Sequence, residues 1–155
     1  MFNVSVIGAT GYAGAELMRL LTAHPEAVIT HAVSKSFAGQ KMSALYPSFL
    51  SGDYTLESPD IDAVAKDSDI VFTCLPHGAS AETAVQLISR GVRVIDLSGD
   101  FRYNDVSVYE RWYKIQHAAP ELLSESVYGM PELHRERIKN ARIIGNPGCY
   151  TTCAI

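Results

Sequence analysis

Long apolar runs are missing from this 155-residue chain. None approaches the ~20 consecutive residues that cross a bilayer, and the opening Met1-Phe2-Asn3-Val4 lacks the charged-then-apolar order of a secretory signal. The expected location is the cytoplasm. Cysteine is scarce and odd in number, at three residues, which speaks against a disulfide framework. Cys149 and Cys153 stand four apart, yet no Cys-x-x-Cys pair or neighbouring His completes a metal-ligand spacing, so no metal is expected. A surplus of one charge is missing too. A net charge of −4 without long runs of either sign argues against a nucleic-acid footprint and against a polybasic membrane surface. Small ligands are the remaining class of partner. Repeats, low-complexity stretches and internal linkers are also absent.

What is present is a chain that is 47% hydrophobic, long enough for one sizeable core, so residues 1–155 read as a single domain. Short runs rich in Val and Ile alternate with helical patterns, the rhythm of an α/β, doubly wound and mostly parallel sheet. Strands are expected at 2–7, 28–33, 69–75, 92–97 and 142–145. A helix over 12–24 follows the first strand, with Leu17, Leu20 and Leu21 as its apolar face. Ser58-Pro59 reads as the cap and first turn of a short helix over 60–66, and 79–90 as a longer helix closed by Gly91. Residues 37–57 form a long excursion without a clean period, and 98–141 carry helical fragments near 105–114 and 131–139.

The first strand runs into Gly8-Ala9-Thr10-Gly11-Tyr12-Ala13-Gly14 and then into a helix. Glycines at such a junction permit a tight turn and let backbone N–H groups approach a pyrophosphate, while the helix start supplies partial positive charge. The alternative is a turn that serves packing alone. About 20 residues further on, the dinucleotide fingerprint expects an Asp or Glu for the ribose 2′-hydroxyl of NAD. The chain has Ser34-Lys35-Ser36 there. Two hydroxyls and a cation would accept a 2′-phosphate that a carboxylate repels, so NADP is the expected cofactor.

Two other strand ends should face the same ligand, since open parallel sheets bind beyond the carboxyl ends of their strands. One carries Cys74-Leu75-Pro76-His77, the other Asp96-Leu97-Ser98-Gly99-Asp100-Phe101-Arg102. Pro76, His77 and Ser98 are candidate walls of the nicotinamide site; the alternative for His77 is a helix cap, and Cys74 reads as a buried strand residue. Further on, Asn146-Pro147-Gly148-Cys149 places a Cys at a helix start, where unpaired amides favour the thiolate and could bind an oxyanion. The competing reading is a small Cys packing a turn.

Four blocks together resemble the N-acetyl-gamma-glutamyl-phosphate reductase family: Gly-Ala-Thr-Gly-Tyr-Ala-Gly at 8–14, Leu-Ser-Gly-Asp-Phe-Arg at 97–102, Tyr-Gly-Met-Pro-Glu-Leu at 128–133 and Asn-Pro-Gly-Cys-Tyr at 146–150. The resemblance implies a Rossmann-type fold and a covalent chemistry in which Cys149 attacks an acyl phosphate, phosphate leaves, and NADPH reduces the resulting thioester. Arg102 is the candidate for holding the substrate phosphate or carboxylate; the alternative is an ion pair with Asp100 or Glu110. In this family a second domain begins just after the nucleophile and supplies the substrate pocket and a catalytic His. The resemblance therefore implies that this chain is a fragment able to bind NADP but not to turn over, from a parent enzyme that is a homo-oligomer of arginine synthesis. Two other readings stand beside it: an aspartate-semialdehyde dehydrogenase-like enzyme, and a noncatalytic NADP-binding sensor. A short-chain dehydrogenase is disfavoured, because no Tyr is followed four positions later by Lys.

Overall fold

The alternation of short apolar runs and amphipathic segments becomes strand and helix in a computed structural model that describes residues 1–49 and 52–154. Leu50 and Ser51, inside the expected excursion, and Ile155, in the expected last helix, lie outside the described residues. The chain divides into two units, Met1–Cys74 and Leu75–Ile155.

The first unit contains β1 (Phe2–Ile7), α1 (Tyr12–Thr22), β2 (Ala27–Val33), α2 (Met42–Leu45), α3 (Ile61–Asp67) and β3 (Ile70–Thr73). β1 lies between β2 and β3, and both pairings are parallel. Parallel neighbours require crossovers, and α1 supplies the one between β1 and β2. The buried face of α1 is Gly14, Met18 and Leu21, spaced to meet along one side of a helix. Leu17 packs at the margin, whereas Leu20 is 53% exposed; the expected triad of leucines is thus corrected, because position 20 lies off the Gly14–Met18–Leu21 line. Val4, Val6, Ala9, Ala32, Met42, Phe49 and Leu56 complete this core.

The 37–57 excursion is not wholly irregular. It holds α2, and Leu56 N–H donates to Gln40 O at 2.8 Å while Met42 N–H donates to Tyr54 O at 2.9 Å, so its two limbs are stitched together. α3 begins one residue later than expected. Asp60, not Ser58, caps it: the carboxylate accepts from Ala63 N–H at 3.0 Å. A carboxylate at the cap position also complements the helix dipole.

The second unit contains α4 (Ala79–Ser89), β4 (Arg93–Asp96), α5 (Val106–Tyr113), a 3-10 helix (Pro120–Glu125), β5 (Ser126–Tyr128), α6 (Pro131–Asn140), β6 (Ile143–Gly145) and α7 (Cys149–Ala154). β6 pairs in parallel with both β4 and β5. β5 and the 3-10 helix stand where helical fragments alone were expected. Ala81, Ala84, Leu87 and Ile88 form the buried stripe of α4, and Gly91 at φ +83° follows its end as the sequence predicts. No helix among the described residues is long and apolar enough to cross a membrane.

Candidate active site

In the first unit, β1 ends at Ile7 and the chain turns through Gly8–Gly14 into α1. Gly8 has φ +87°, and a Cβ there would fall 2.4 Å from the Cys74 carbonyl oxygen; one on Gly14 would fall 2.1 Å from the Gly8 oxygen. Backbone cannot yield at those distances, so these two glycines answer to the protein's own packing. Gly11 is different. Its φ of −72° and ψ of 162° suit any residue, and the nearest atom to an added Cβ would be 3.7 Å away. The bare Gly11 leaves open the entrance to α1, where no side chain caps the helix and the first-turn amides have no intrahelical acceptor. Such a helix start attracts an anion. Packing alone accounts for Gly8 and Gly14 but not for Gly11.

The turn is fastened from several directions. Gly8 N–H and Ala9 N–H donate to Val33 O at 2.9 and 3.0 Å, and Tyr46 O–H donates to Thr10 O at 2.7 Å. The hydroxyls of Thr10 and Ser34 meet at 2.8 Å. Ser34 is buried, whereas Lys35 and Ser36 are exposed; of the three residues expected to meet a 2′-phosphate, two point polar groups outward and the third braces the glycine turn. Gly11, Tyr12 and Ala13 are exposed. Beside them opens a cleft of about 410 Å³ lined by Thr10, Gly11, Tyr12, Phe37, Leu45 and Tyr46. Cys74 packs against the core of this unit, in keeping with a strand-end residue.

In the second unit, the segment after β4 is organised around buried acids. The Ser98 hydroxyl donates to Asp96 Oδ2 at 2.6 Å and accepts from Asp100 N–H at 3.1 Å, so it braces this loop. The Asp100 carboxylate, fully buried, accepts from Gly78 N–H at 2.9 and 3.1 Å, from Ala81 N–H at 3.1 Å and from Tyr109 O–H at 2.9 Å. It caps α4 across the sequence, where the local cap position is Gly78 at φ +86°. Burial, reinforced by the bond to Asp100, pushes the Tyr109 hydroxyl pKa above its ordinary value. His77 does not cap α4. Its Nδ1 accepts from Gly99 N–H at 2.7 Å, which leaves the proton of a neutral ring on Nε2, and its ring lies 4.6 Å from that of Tyr113. Both Pro76 and His77 are exposed.

After β6 the chain turns at Asn146-Pro147-Gly148, and Cys149 opens α7 with its residue exposed. Gly148 O accepts from Thr152 N–H at 3.2 Å and from the Thr151 and Thr152 hydroxyls at 2.9 and 2.8 Å. Arg102 reaches this turn: Nε donates to Asn146 O at 2.8 Å and Nη2 to Leu97 O at 3.1 Å. Neither acid proposed as its ion-pair partner receives it; Asp100 is committed as above, and Glu110 accepts from His117 N–H at 3.2 Å.

A family model described as "Semialdehyde dehydrogenase, NAD binding domain" matches residues 3–141. The chain belongs to that family. N-acetyl-gamma-glutamyl-phosphate reductases of Acetivibrio thermocellus and Halothermothrix orenii are 54% and 47% identical to it over its whole length. The chain spans 45% of the length of each. Aspartate semialdehyde dehydrogenase II of Vibrio cholerae, complexed with ASA, shares the fold with a TM-score of 0.70 at 23% identity, over 97% of this chain and 43% of that one. The resemblance carried by the four sequence blocks therefore holds, and so does the Rossmann-type fold.

Several of these contacts left little trace in the sequence. Tyr46, Phe37 and Leu45 of the cleft come from the excursion, which has no period to reveal them. Asp100 and Tyr109 are nine residues apart, and Asp100 and Gly78 twenty-two; no local pattern links such pairs. The only hint was that an Asp-Phe-Arg block follows a strand end.

Proposed function

We propose that this chain is the cofactor-binding and nucleophile-bearing portion of an N-acetyl-gamma-glutamyl-phosphate reductase, a cytoplasmic NADP-dependent enzyme of arginine biosynthesis. The observation that carries this reading is Cys149 as first residue of α7, directly after the Asn146–Gly148 turn, in a chain 54% identical to one such reductase. A thiolate there attacks the acyl carbon of the substrate; the carbon–oxygen bond to phosphate breaks, and the acyl group remains on Sγ as a thioester. Amides at the start of α7 are donors of the kind that steady the oxyanion of this step. NADPH, when bound, supplies the reducing equivalent that converts the thioester to the aldehyde.

The residues of the glycine turn suit that cofactor. Gly11 leaves room for a pyrophosphate against uncapped amides, and Lys35 and Ser36 present a cation and a hydroxyl for the 2′-phosphate. The substrate pocket and the general acid–base group belong to the remaining length of such reductases, and so does the contact through which the enzyme forms a homo-oligomer. This chain alone binds NADP without turnover.

Fluorescence titration with NADPH and NADH tests the cofactor half. NADPH should bind the chain more tightly than NADH, and Lys35→Glu should weaken NADPH by about tenfold or more, the worth of a charge-assisted bond, while leaving NADH nearly unchanged. Equal affinity for both in the wild type would remove the NADP assignment. A noncatalytic sensor would show the same titration, but the complete protein would then have no reductase activity for Cys149→Ser to abolish.

A further inference from the structure

The glycine turn has little conformational restraint of its own. Three of the residues 8–14 are glycine, which samples more backbone states than any other residue, so the path of the turn depends on what holds it from outside. Val33 O holds its first two amides, those of Gly8 and Ala9. Thr10, immediately before Gly11, is held twice: its hydroxyl meets that of Ser34 at 2.8 Å, and its carbonyl accepts from the Tyr46 hydroxyl at 2.7 Å. The peptide that joins Thr10 to Gly11 is planar. Fixing its oxygen therefore also fixes its N–H, which donates to Gly8 O at 3.2 Å. Gly11 caps α1, and its own carbonyl accepts the first helical bond, from Ala15 N–H at 2.8 Å.

Resting on the reading of this turn as the pyrophosphate site, we infer that Tyr46 is a positioning residue for the cofactor: its hydroxyl sets the Thr10–Gly11 peptide, and so aims the first-turn amides of α1, before any dinucleotide arrives. Its single proton is spent on Thr10 O, so toward anything else the hydroxyl oxygen can only accept. An ionised phosphate is an acceptor too, and Tyr46 therefore does not bind one directly while this bond stands. Nor does the place of Tyr46 depend on a ligand. Its ring packs against the core of the first unit, its N–H donates to Met42 O at 2.9 Å and its carbonyl accepts from Phe49 N–H at 2.8 Å; Met42 and Phe49 are buried in that core. The 37–57 excursion thus reaches back across thirty-six residues to brace the turn, which removes part of the ordering cost of binding.

Competition titrations on this chain, with NADPH fluorescence as the signal, separate positioning from direct contact. 2′-AMP carries only the adenine, one ribose and the 2′-phosphate; 2′-phospho-ADP-ribose adds the pyrophosphate. Tyr46→Phe keeps the ring and removes the hydroxyl. It should weaken NADPH and 2′-phospho-ADP-ribose by about fivefold, the worth of one neutral hydrogen bond, and leave 2′-AMP unchanged. Hydrogen exchange of the ligand-free chain gives a second readout: peptides covering 8–14 should exchange several times faster in Tyr46→Phe, while those covering 27–33 keep their wild-type rate. Equal weakening of all three ligands would make Tyr46 an adenosine contact, and unchanged affinity for all three would leave its hydroxyl without a role in binding; either overturns the inference. Faster exchange over 8–14 and 27–33 together would do so too, since the hydroxyl would then hold the whole unit. A wild-type chain that binds none of the three defeats the cofactor reading itself, and the inference with it.

Discussion

Alanine at Gly14 and alanine at Gly11 should do opposite things. At Gly14 the new methyl meets the Gly8 carbonyl oxygen at 2.1 Å, so the turn or α1 must shift, at a cost of about 1–3 kcal/mol visible as a lower Tm. NADPH binding would fall with it. At Gly11 the methyl meets nothing of the protein closer than 3.7 Å, and thermal stability should move by no more than about 0.5 kcal/mol. Cofactor affinity should nevertheless drop by about tenfold, because the methyl stands where a pyrophosphate must come close. A Gly11→Ala variant that binds NADPH as the wild type does would show that the turn serves packing alone. All three glycines were legible in the sequence through their spacing. Their different reasons were not, since spacing carries no information on which Cβ would collide with what.

At the scale of elements, strands that lie between parallel neighbours were readable because near-continuous apolar runs are what such strands require. β5 escaped because three residues, Ser126-Val127-Tyr128, are too few to display a period. The cap of α3 was misplaced because Ser58 and Asp60 are both competent caps, and only the backbone path selects between them. The tie between Asp100 and the start of α4 was invisible for a different reason: it depends on tertiary proximity. Asp100→Ala should leave the Gly78 and Ala81 amides and the Tyr109 hydroxyl without their acceptor, lowering stability by about 3 kcal/mol. Tyr109→Phe, which removes one donor and leaves the amides bonded, should cost about 1 kcal/mol. Chemical denaturation of both variants measures the difference, and equal losses would contradict the capping role.

β2 and α3 are tied by a histidine, which makes the first unit sensitive to pH. His31 Nδ1 lies 2.6 Å from Glu57 and Nε2 3.3 Å from Asp67. Burial alone would lower its pKa, but the hydrogen bonds and charges of Glu57, and then of Asp67, outweigh burial and raise it. The folded state therefore holds this proton more tightly than the unfolded chain does. The resulting stability is full below the unfolded value near ~6.5 and disappears as pH rises through the folded value. The Tm gap between wild type and His31→Gln should accordingly be wider at about pH 5.5 than at about pH 8.5; a gap that widens with rising pH would contradict the ion pairs.

For the molecule as a whole, the proposed function requires one chain to bring a dinucleotide-binding turn and a nucleophilic cysteine to the same enzyme. The turn and the cysteine block were both legible, because each is a short run whose chemistry is local: amides at a helix start, a thiol at a helix start. The hydrogen bonds of Arg102 were not, since its carbonyl partners, Leu97 and Asn146, are five and forty-four residues away and main-chain acceptors have no sequence signature.

The most direct test of the proposed reductase activity is to mix the complete protein with N-acetyl-gamma-glutamyl phosphate in the absence of NADPH, quench in acid, and locate the acyl group by peptide mass spectrometry. One N-acetylglutamyl group on Cys149, absent in Cys149→Ser and discharged when NADPH is added before the quench, is the predicted result. An acyl group on Cys74 or Cys153 that persists in Cys149→Ser, or full turnover by that variant, would contradict the account.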